Sequence, residues 1–290
     1  MVAGAPARVV EHLPEEAPER STVATNQVDV SVIIPTFHRE KQVVEAVESA
    51  LGQTGVSVEV IVLDDSAEGS AREAAEGTGD PRVRYVKQEV PSGGRPALVR
   101  NAGARLALGR FLHFLDDDDR LADGALAALA RALDDKPHAG VAVGLIAPFG
   151  DDQQVLRHEQ EYFREAERRV RLAHNRYALV ADMLFRNAPL VNSACTIRRE
   201  HFASLGGYDP SLVVCEDVDF FLRAIRAFGF TFVDASVLQY RVGQPSLAHH
   251  DGDPSRFARA SRMIQCRYRH EHGPLEFYAL KVLVRLREPR

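Results

Sequence analysis

The sequence predicts an α/β fold, with a mostly parallel central sheet flanked by helices, a helical insertion and a C-terminal extension. Three observations predict it. Short β-rich runs are apolar without alternation, as strands buried on both faces are. Segments of helical period separate consecutive runs. Two of the runs end in blocks of aspartate, at the strand ends where open α/β sheets bind ligands. The chain has 290 residues, 45% of them hydrophobic, enough for one large α/β domain with an extension.

The elements follow in order. Residues 1 to about 27, rich in Ala, Pro and Glu, read as a flexible leader that the fold does not need. Val30 to Ile34 is a strand, Glu40 to Leu51 a helix, Val58 to Leu63 a second strand and Val83 to Val86 a third. Pro96 to Leu108 is a helix with Pro96 in its first turn and Gly109 as its stop signal. Phe111 to Leu115 is the next strand, followed by a helix over Ala122 to Leu133 and a strand over Gly140 to Ile146. Asp151 to Arg186 is charged, Arg-rich and helical in period, and reads as an insertion over the sheet edge. Val213 to Gly229 holds an acidic cluster and a helix, and Thr231 to Val242 returns to strand character. The chain thus divides into 28–120, 121–250 with the insertion 151–186, and a helical extension 251–290.

Composition narrows the partners. The net charge is -5, with both signs spread along the chain, which argues against nucleic acid. Cys195, Cys215 and Cys266 are too few and too scattered for a disulfide framework or a zinc site, and point to a reducing compartment. No apolar run approaches the ~20 residues of a membrane-spanning helix, and the first residues lack the pattern of a secretory signal. A cytoplasmic protein is expected. Leu275 to Arg290 mixes apolar residues with Lys281, Arg285, Arg287 and Arg290. It reads either as a basic amphipathic helix on the inner face of a membrane or as a terminal helix packed on the domain. Nothing in the sequence sets the oligomeric state.

The chemistry-bearing stretches begin with Asp116-Asp117-Asp118-Asp119. Neighbouring carboxylates repel by roughly 1 to 4 kcal/mol per pair, so the block calls for a compensating cation. Asp116 and Asp118, in Asp-x-Asp spacing, suit Mg²⁺ or Mn²⁺ shared with a nucleotide diphosphate. A calcium loop is excluded by Arg120 and Leu121 at its fifth and sixth positions. The alternative is a solvated acidic turn capping a helix near Asp123. Asp64-Asp65, ending the second strand, is a turn, a helix cap, or a contact to a base imide or ribose. Ser92-Gly93-Gly94-Arg95-Pro96, leading to Arg100 and Asn101, is a phosphate cradle or a plain turn. Cys215-Glu216-Asp217-Val218-Asp219 opens a helix, either as caps or as a general base with a neighbouring acid to orient it. His249, His250, His270 and His272 lack metallohydrolase spacing and read as surface residues.

Taken together, these residues resemble family 2 glycosyltransferases of the GT-A (Rossmann-like) fold. Val32-Ile33-Ile34-Pro35-Thr36-Phe37-His38-Arg39 is similar to that family's opening strand, and Ser49-Ala50-Leu51 with Gln53-Thr54 to its Ser-x-Leu-x-Gln-Thr. Arg100-Asn101-Ala102-Gly103 before Phe114-Leu115-Asp116-Asp117-Asp118-Asp119 resembles its Arg-Asn-x-Gly and Phe-Leu-Asp-x-Asp-Asp pair. Gly206-Gly207-Tyr208-Asp209, then Glu216-Asp217-x-Asp219 and Arg223, resembles its acceptor-side block.

The resemblance implies a nucleotide-sugar-binding half over 28–120 and an acceptor-binding half over 121–250. It implies that Pro35, Phe37 and Arg39 line the nucleotide pocket, that Asp65 binds the base, and that Arg95 or Arg100 approaches base or phosphate. Asp117 is expected near the ribose, and Asp118 as a ligand of Mn²⁺ or Mg²⁺ with Asp116 as the other arm. Asp217 is expected as catalytic base, with Glu216 positioning it or the acceptor. The implied reaction is inverting transfer of a sugar from a nucleotide-diphosphate sugar to a hydroxyl on a glycan, a lipid-linked or a natural-product acceptor. The family often places a histidine soon after Tyr240-Arg241; here Val242-Gly243-Gln244-Pro245 intervenes, leaving His249, His250 or neither as third metal ligand. The competing readings are a nucleotidyltransferase, which needs a Gly-rich basic loop after the first strand where this chain has Pro35-Thr36-Phe37, and a non-catalytic nucleotide-sugar-binding module.

Overall fold

The computed structural model describes residues 28–173, 175–186, 190–243 and 255–287. The leader 1–27, His249 and His250 lie outside the described residues.

Eight strands form one sheet: β1 (Val30–Thr36), β2 (Val58–Asp64), β3 (Val83–Lys87), β4 (Phe111–Phe114), β5 (Arg120–Leu121), β6 (Val141–Phe149), β7 (Cys195–Arg198) and β8 (Phe230–Arg241). Their order is β3-β2-β1-β4-β7-β6-β8-β5. The first four run parallel, β6 and β8 pair parallel, and β7 and β5 run against their neighbours. The sheet is mostly parallel, as expected. Strands β7 and β5 are absent from the expected elements; β5, at two residues, is too short to leave a period in the sequence.

Both faces are covered, which explains the unbroken apolar runs. In β1 and β2, Ile33, Ile61 and Leu63 point into one buried cluster, whereas Val32, Ile34, Val60 and Val62 point into the other. Successive strand residues face opposite sides, so two helical layers demand apolar residues at every position. One layer holds α1 (Glu40–Leu51), α2 (Arg72–Glu76) and α4 (Ala125–Asp134); the other holds α3 (Pro96–Leu106), α6 (Arg176–Phe185) and α8 (Glu216–Phe228). α5 (Gln153–Arg171) packs on β6, and the short α7 (Arg199–Ser204) follows β7.

Two local expectations change. α3 ends at Leu106 with Ala107 already extended, so Gly109 is not its stop. A Cβ on Gly109 would lie 2.6 Å from the backbone N of Ser31, so the glycine serves the close approach of this turn to β1. α4 starts at Ala125 with left-handed Gly124 as its N-cap and no side-chain cap, so the aspartate block does not cap it.

α9 (Ser255–Leu286) is broken at Gly273 (φ 83) before Pro274. It packs on α6 and α8, through Gln265 donating to the Leu184 carbonyl, the Arg226–Glu276 ion pair at 2.7 Å, and Arg267 reaching Asp209 and Asp219. Among the described residues no helix is long and apolar enough to cross a membrane. The three cysteines are free thiols.

Candidate active site

β1 is flanked by β2 on one side and β4 on the other, so the chain order reverses at β1 and a crevice opens where β1 and β4 part. Their ladder ends at Ile33 and Phe114, while β1 continues beside β2 to Thr36. Pro35, which lacks an N–H, sits in that one-sided extension. Arg39 then leaves β1 into the crevice, and Asp116 to Asp119 leave β4 into it.

Arg39 Nη1 lies 2.9 Å from Asp117 Oδ1 and 2.6 Å from Asp118 Oδ2. Arg100 is 7% exposed and donates to Asp116 Oδ1 at 2.7 Å and to Glu216 Oε1 at 2.5 Å. Asp119 Oδ1 accepts from the Arg241 backbone N at 2.9 Å, whereas its buried Oδ2 has no partner among the described residues. Arg241 also donates from Nε to the Asp118 carbonyl and from Nη2 to Glu45, which binds Arg120 as well. The aspartate block is therefore held by arginines from three parts of the chain.

The two aspartates after β2 divide. Asp64 accepts from Ser66 N, Ala71 N and the Tyr85 hydroxyl; against the opposing effect of burial, these bonds hold its carboxyl below the usual range. It is a turn residue. Asp65 accepts from Ser92 N at 2.7 Å and Ser92 Oγ at 2.6 Å, which closes the Ser92-Gly93-Gly94 turn against β2.

Helix α8 is tied to the same centre by the Arg-Asn-x-Gly segment. Arg100 grips Glu216, and Asn101 next to it brackets Tyr208, accepting from its N at 3.0 Å and donating to its carbonyl at 2.8 Å. Gly207 takes φ 73, and a Cβ there would lie 2.6 Å from Asn101 Oδ1. Gly103 faces β1, where a Cβ would lie 2.4 Å from Ile33 Cγ2. Each residue of the motif thus has a separate physical task. Cys215 before the helix takes φ 61, an unusual left-handed conformation for a non-glycine residue. It opens the first turn with Glu216 buried and Asp217 half-buried; Asp217 Oδ1 accepts from Val218 N at 2.7 Å.

Burial dominates the electrostatics. It pushes Asp117 up to about 6, against Arg39 and with help from Asp118. It raises Asp118, and with the charges of Asp116 and Asp118 it raises Asp119 well above the ordinary value. It raises Glu216 and Asp217 too, with Arg100 opposing and Asp116 adding to the rise. Arg100 stays protonated because Asp116 and Glu216 outweigh the cost of burying it. Carboxyls raised by burial and like charge and clustered at a strand end make this a candidate site.

Arg39, Arg100, Asp116, Asp117, Asp118 and Glu216 are brought into one network, in whose field Asp217 sits. Asp65, just past the end of β2, is engaged with Ser92. Phe37, 56% exposed and set edge-on to the His38 ring, and Arg95, also exposed, lie at the surface. Sequence reasoning missed Asp119, Glu45, Arg120 and Arg241. The last lies 122 residues from the aspartate it holds, a pairing that no local pattern reveals. Among the described residues no three His, Cys, Asp or Glu side chains are grouped to hold a metal ion.

Comparison with known proteins agrees with this architecture. Residues 31–205 match the family described as Glycosyl transferase family 2. The chain is 34% identical over 139 residues to the succinoglycan biosynthesis protein ExoO of Rhizobium meliloti, covering 48% of this chain and 38% of that protein. It is 36% identical over 103 residues to the GalNAc(5)-diNAcBac-PP-undecaprenol beta-1,3-glucosyltransferase of Campylobacter jejuni, covering 34% of this chain and 33% of that protein. It thus spans about a third of the length of each of these relatives. Among solved structures, S. aureus TarS 1-349 in complex with UDP-GlcNAc shares the fold, with a TM-score of 0.65, 19% identity, and coverage of 88% of this chain and 70% of that one. With the matched region taking in β1, the aspartate block and the Arg-Asn-x-Gly segment, the chain belongs to glycosyl transferase family 2.

Proposed function

We propose that the chain is an inverting glycosyltransferase that moves a sugar from a nucleoside diphosphate donor to a hydroxyl group of an acceptor. The observation that carries this reading is the double grip of Arg100 on Asp116 and Glu216, which couples the donor-side aspartates to the acceptor-side helix. Family membership and the UDP-GlcNAc bound in the TarS structure support a nucleotide-sugar donor. Pro35, Phe37 and Asp65 line the nucleotide side, with Asp117 at the ribose. Arg95, exposed at the start of α3, is free to approach phosphate.

Asp217 takes the proton of the acceptor hydroxyl, whose oxygen attacks the anomeric carbon; the bond from that carbon to the diphosphate oxygen breaks, and the diphosphate leaves with the electron pair. Burial raises the proton affinity of Asp217, matching it to a hydroxyl better than an exposed carboxylate is matched. Glu216, fixed by Arg100, positions the base.

A divalent cation, Mn²⁺ or Mg²⁺, fits the donor chemistry of the block: the ligands are hard carboxylate oxygens, and one buried Asp119 oxygen has no partner among the described residues. Asp118 and Asp116 would hold it. When bound, such an ion supplies positive charge to the departing diphosphate. The names of the relatives support a saccharide acceptor, free or lipid-linked, for this chain.

The reading is tested by thermal-shift titration of the full chain with UDP-, GDP-, dTDP- and ADP-sugars, with and without Mn²⁺. One nucleotide class is expected to raise the melting temperature, more so with the ion. Failure of every nucleotide sugar to bind would remove the proposal, and a product retaining the donor's anomeric configuration by NMR would remove inversion.

A further inference from the structure

α9 has two opposite apolar faces, and the fold uses one. Phe277, Leu280 and Val284 are buried against the domain. Leu275, Tyr278, Val282 and Leu286 recur at helical spacing on the other side and are 89%, 50%, 53% and 78% exposed. Scattered exposed apolar residues are ordinary, but a continuous stripe along a helix marks an interaction surface. Lys281 and Arg285 flank the stripe and are exposed, and the Arg269 guanidinium lies 5.5 Å from the Tyr278 ring centroid. Although the chain carries a net charge of -5, residues 255–286 hold seven Lys and Arg against two Glu. Of these, Glu276 is spent on Arg226 and Arg267 on Asp209 and Asp219, leaving six cations against one carboxylate.

We infer that α9 docks this chain onto an anionic lipid surface, with the Leu275–Leu286 stripe entering the headgroup region and Lys281, Arg285 and Arg269 facing acidic lipid. Charge complementarity selects this occupant. A second copy of the chain would set the same cationic helix opposite itself across a two-fold axis, where like charges oppose contact. A lipid surface accepts the apolar stripe and neutralises its flanks together. The alternatives read from the sequence for this segment, a packed terminal helix and a membrane-surface helix, are compatible, because they use opposite faces. α8 carries Asp217 in its first turn and is pinned to α9 by Arg226–Glu276 and Arg267–Asp219. Docking therefore presents the acceptor side of the fold to the surface. Vesicle binding does not depend on the proposed chemistry and is measured without substrate.

The test is flotation of the full chain with phosphatidylcholine vesicles, with or without about one third phosphatidylglycerol. The chain contains no Trp, so Tyr278→Trp supplies a sole reporter within the stripe. Expected are co-flotation with the anionic vesicles only, a blue shift of the Trp emission and its quenching by brominated lipid. At least tenfold weaker partitioning is expected for Val282→Ser/Leu286→Ser and for Lys281→Gln/Arg285→Gln, with unchanged melting curves because these side chains are exposed. Equal binding to neutral vesicles, or partitioning indifferent to the serine pair, would overturn the inference. So would a dimer in sedimentation that the serine pair dissociates, which would assign the stripe to a second copy.

Discussion

Arg100 donates to Glu216 at 2.5 Å across 116 residues of sequence, and both side chains are almost wholly buried. This bond joins the helix after β3 to the first turn of α8, and through the second Arg100 contact it sets Asp116 in place. Removing the arginine leaves two buried carboxylates uncompensated. Arg100→Met is expected to cost about 3–5 kcal/mol in urea unfolding. Glu216→Gln in that background should recover part of the loss, because one stranded charge is gone. Purely additive single and double variants would show that the bridge carries no coupling.

Asp217 and Asp118 should fail in different ways. Asp217→Asn keeps the shape of the first turn and removes the proposed proton acceptor, so transfer is expected to fall by roughly 10²–10⁴ while donor affinity stays within about twofold. Asp118→Asn is expected to abolish the Mn²⁺-dependent gain in donor affinity, read by calorimetry. The raised affinity of Asp217 for a proton also fixes the sign of the pH profile. The proposed base is ionised only above its elevated value, so the rate is expected to rise with pH through a range where an ordinary carboxylate, at about 4, would already be saturated. Equal loss of donor binding in both variants would refute this division of labour.

Much of this was legible because strand burial on two faces and the Asp-rich strand ends are local properties. Val32, Ile33 and Ile34 announce a covered strand by themselves, and Glu40 to Leu51 carries its own period. Matching a motif did not reveal its task. Ser49 and Gln53 lie away from the carboxylates: Ser49 Oγ accepts from Leu121 N, while Gln53 donates to the Ala122 carbonyl and accepts from Leu126 N. They fasten α1 to β5 and α4, so they are structural. Asp64 and Asp65 look equivalent in sequence, yet one closes a turn and the other faces the Ser92 loop. What stayed illegible was the long-range pairing of Arg39 with Asp117 and Asp118 and of Arg241 with Asp119, which depends on how β1, β4 and β8 are laid out in the sheet.

Asp65 is engaged by Ser92 through both oxygens, so a nucleobase that binds Asp65 must displace at least one of those bonds. Ser92→Ala removes the hydroxyl bond in the ligand-free state and leaves the backbone one. Since a hydrogen bond of this kind is worth about 1 kcal/mol net, donor affinity is expected to improve by a few fold. Weaker binding in Ser92→Ala would show instead that Ser92 holds Asp65 in its binding position.

Asp119 is nearly completely buried, with one oxygen on Arg241 N and the other without a partner among the described residues. Burial and the charges of Asp116 and Asp118 raise its proton affinity well above the ordinary value, so the folded chain binds a proton that the unfolded chain has released. Stability from this group is present below the ordinary carboxylate value, near 4, and is lost as pH rises through the folded value. Asp119→Asn keeps an acceptor for Arg241 N and removes the charge. The variant is therefore expected to be more stable than the parent by on the order of 1–2 kcal/mol at pH 8, with the difference shrinking as pH falls toward 4. It is also expected to bind donor more weakly with Mn²⁺, because negative charge held at a structural cost is what a cation shared with the diphosphate would use. Urea melts of both chains across that pH range decide it: a gap that is constant with pH, or that widens on acidification, would mean Asp119 is not held against its ordinary ionisation.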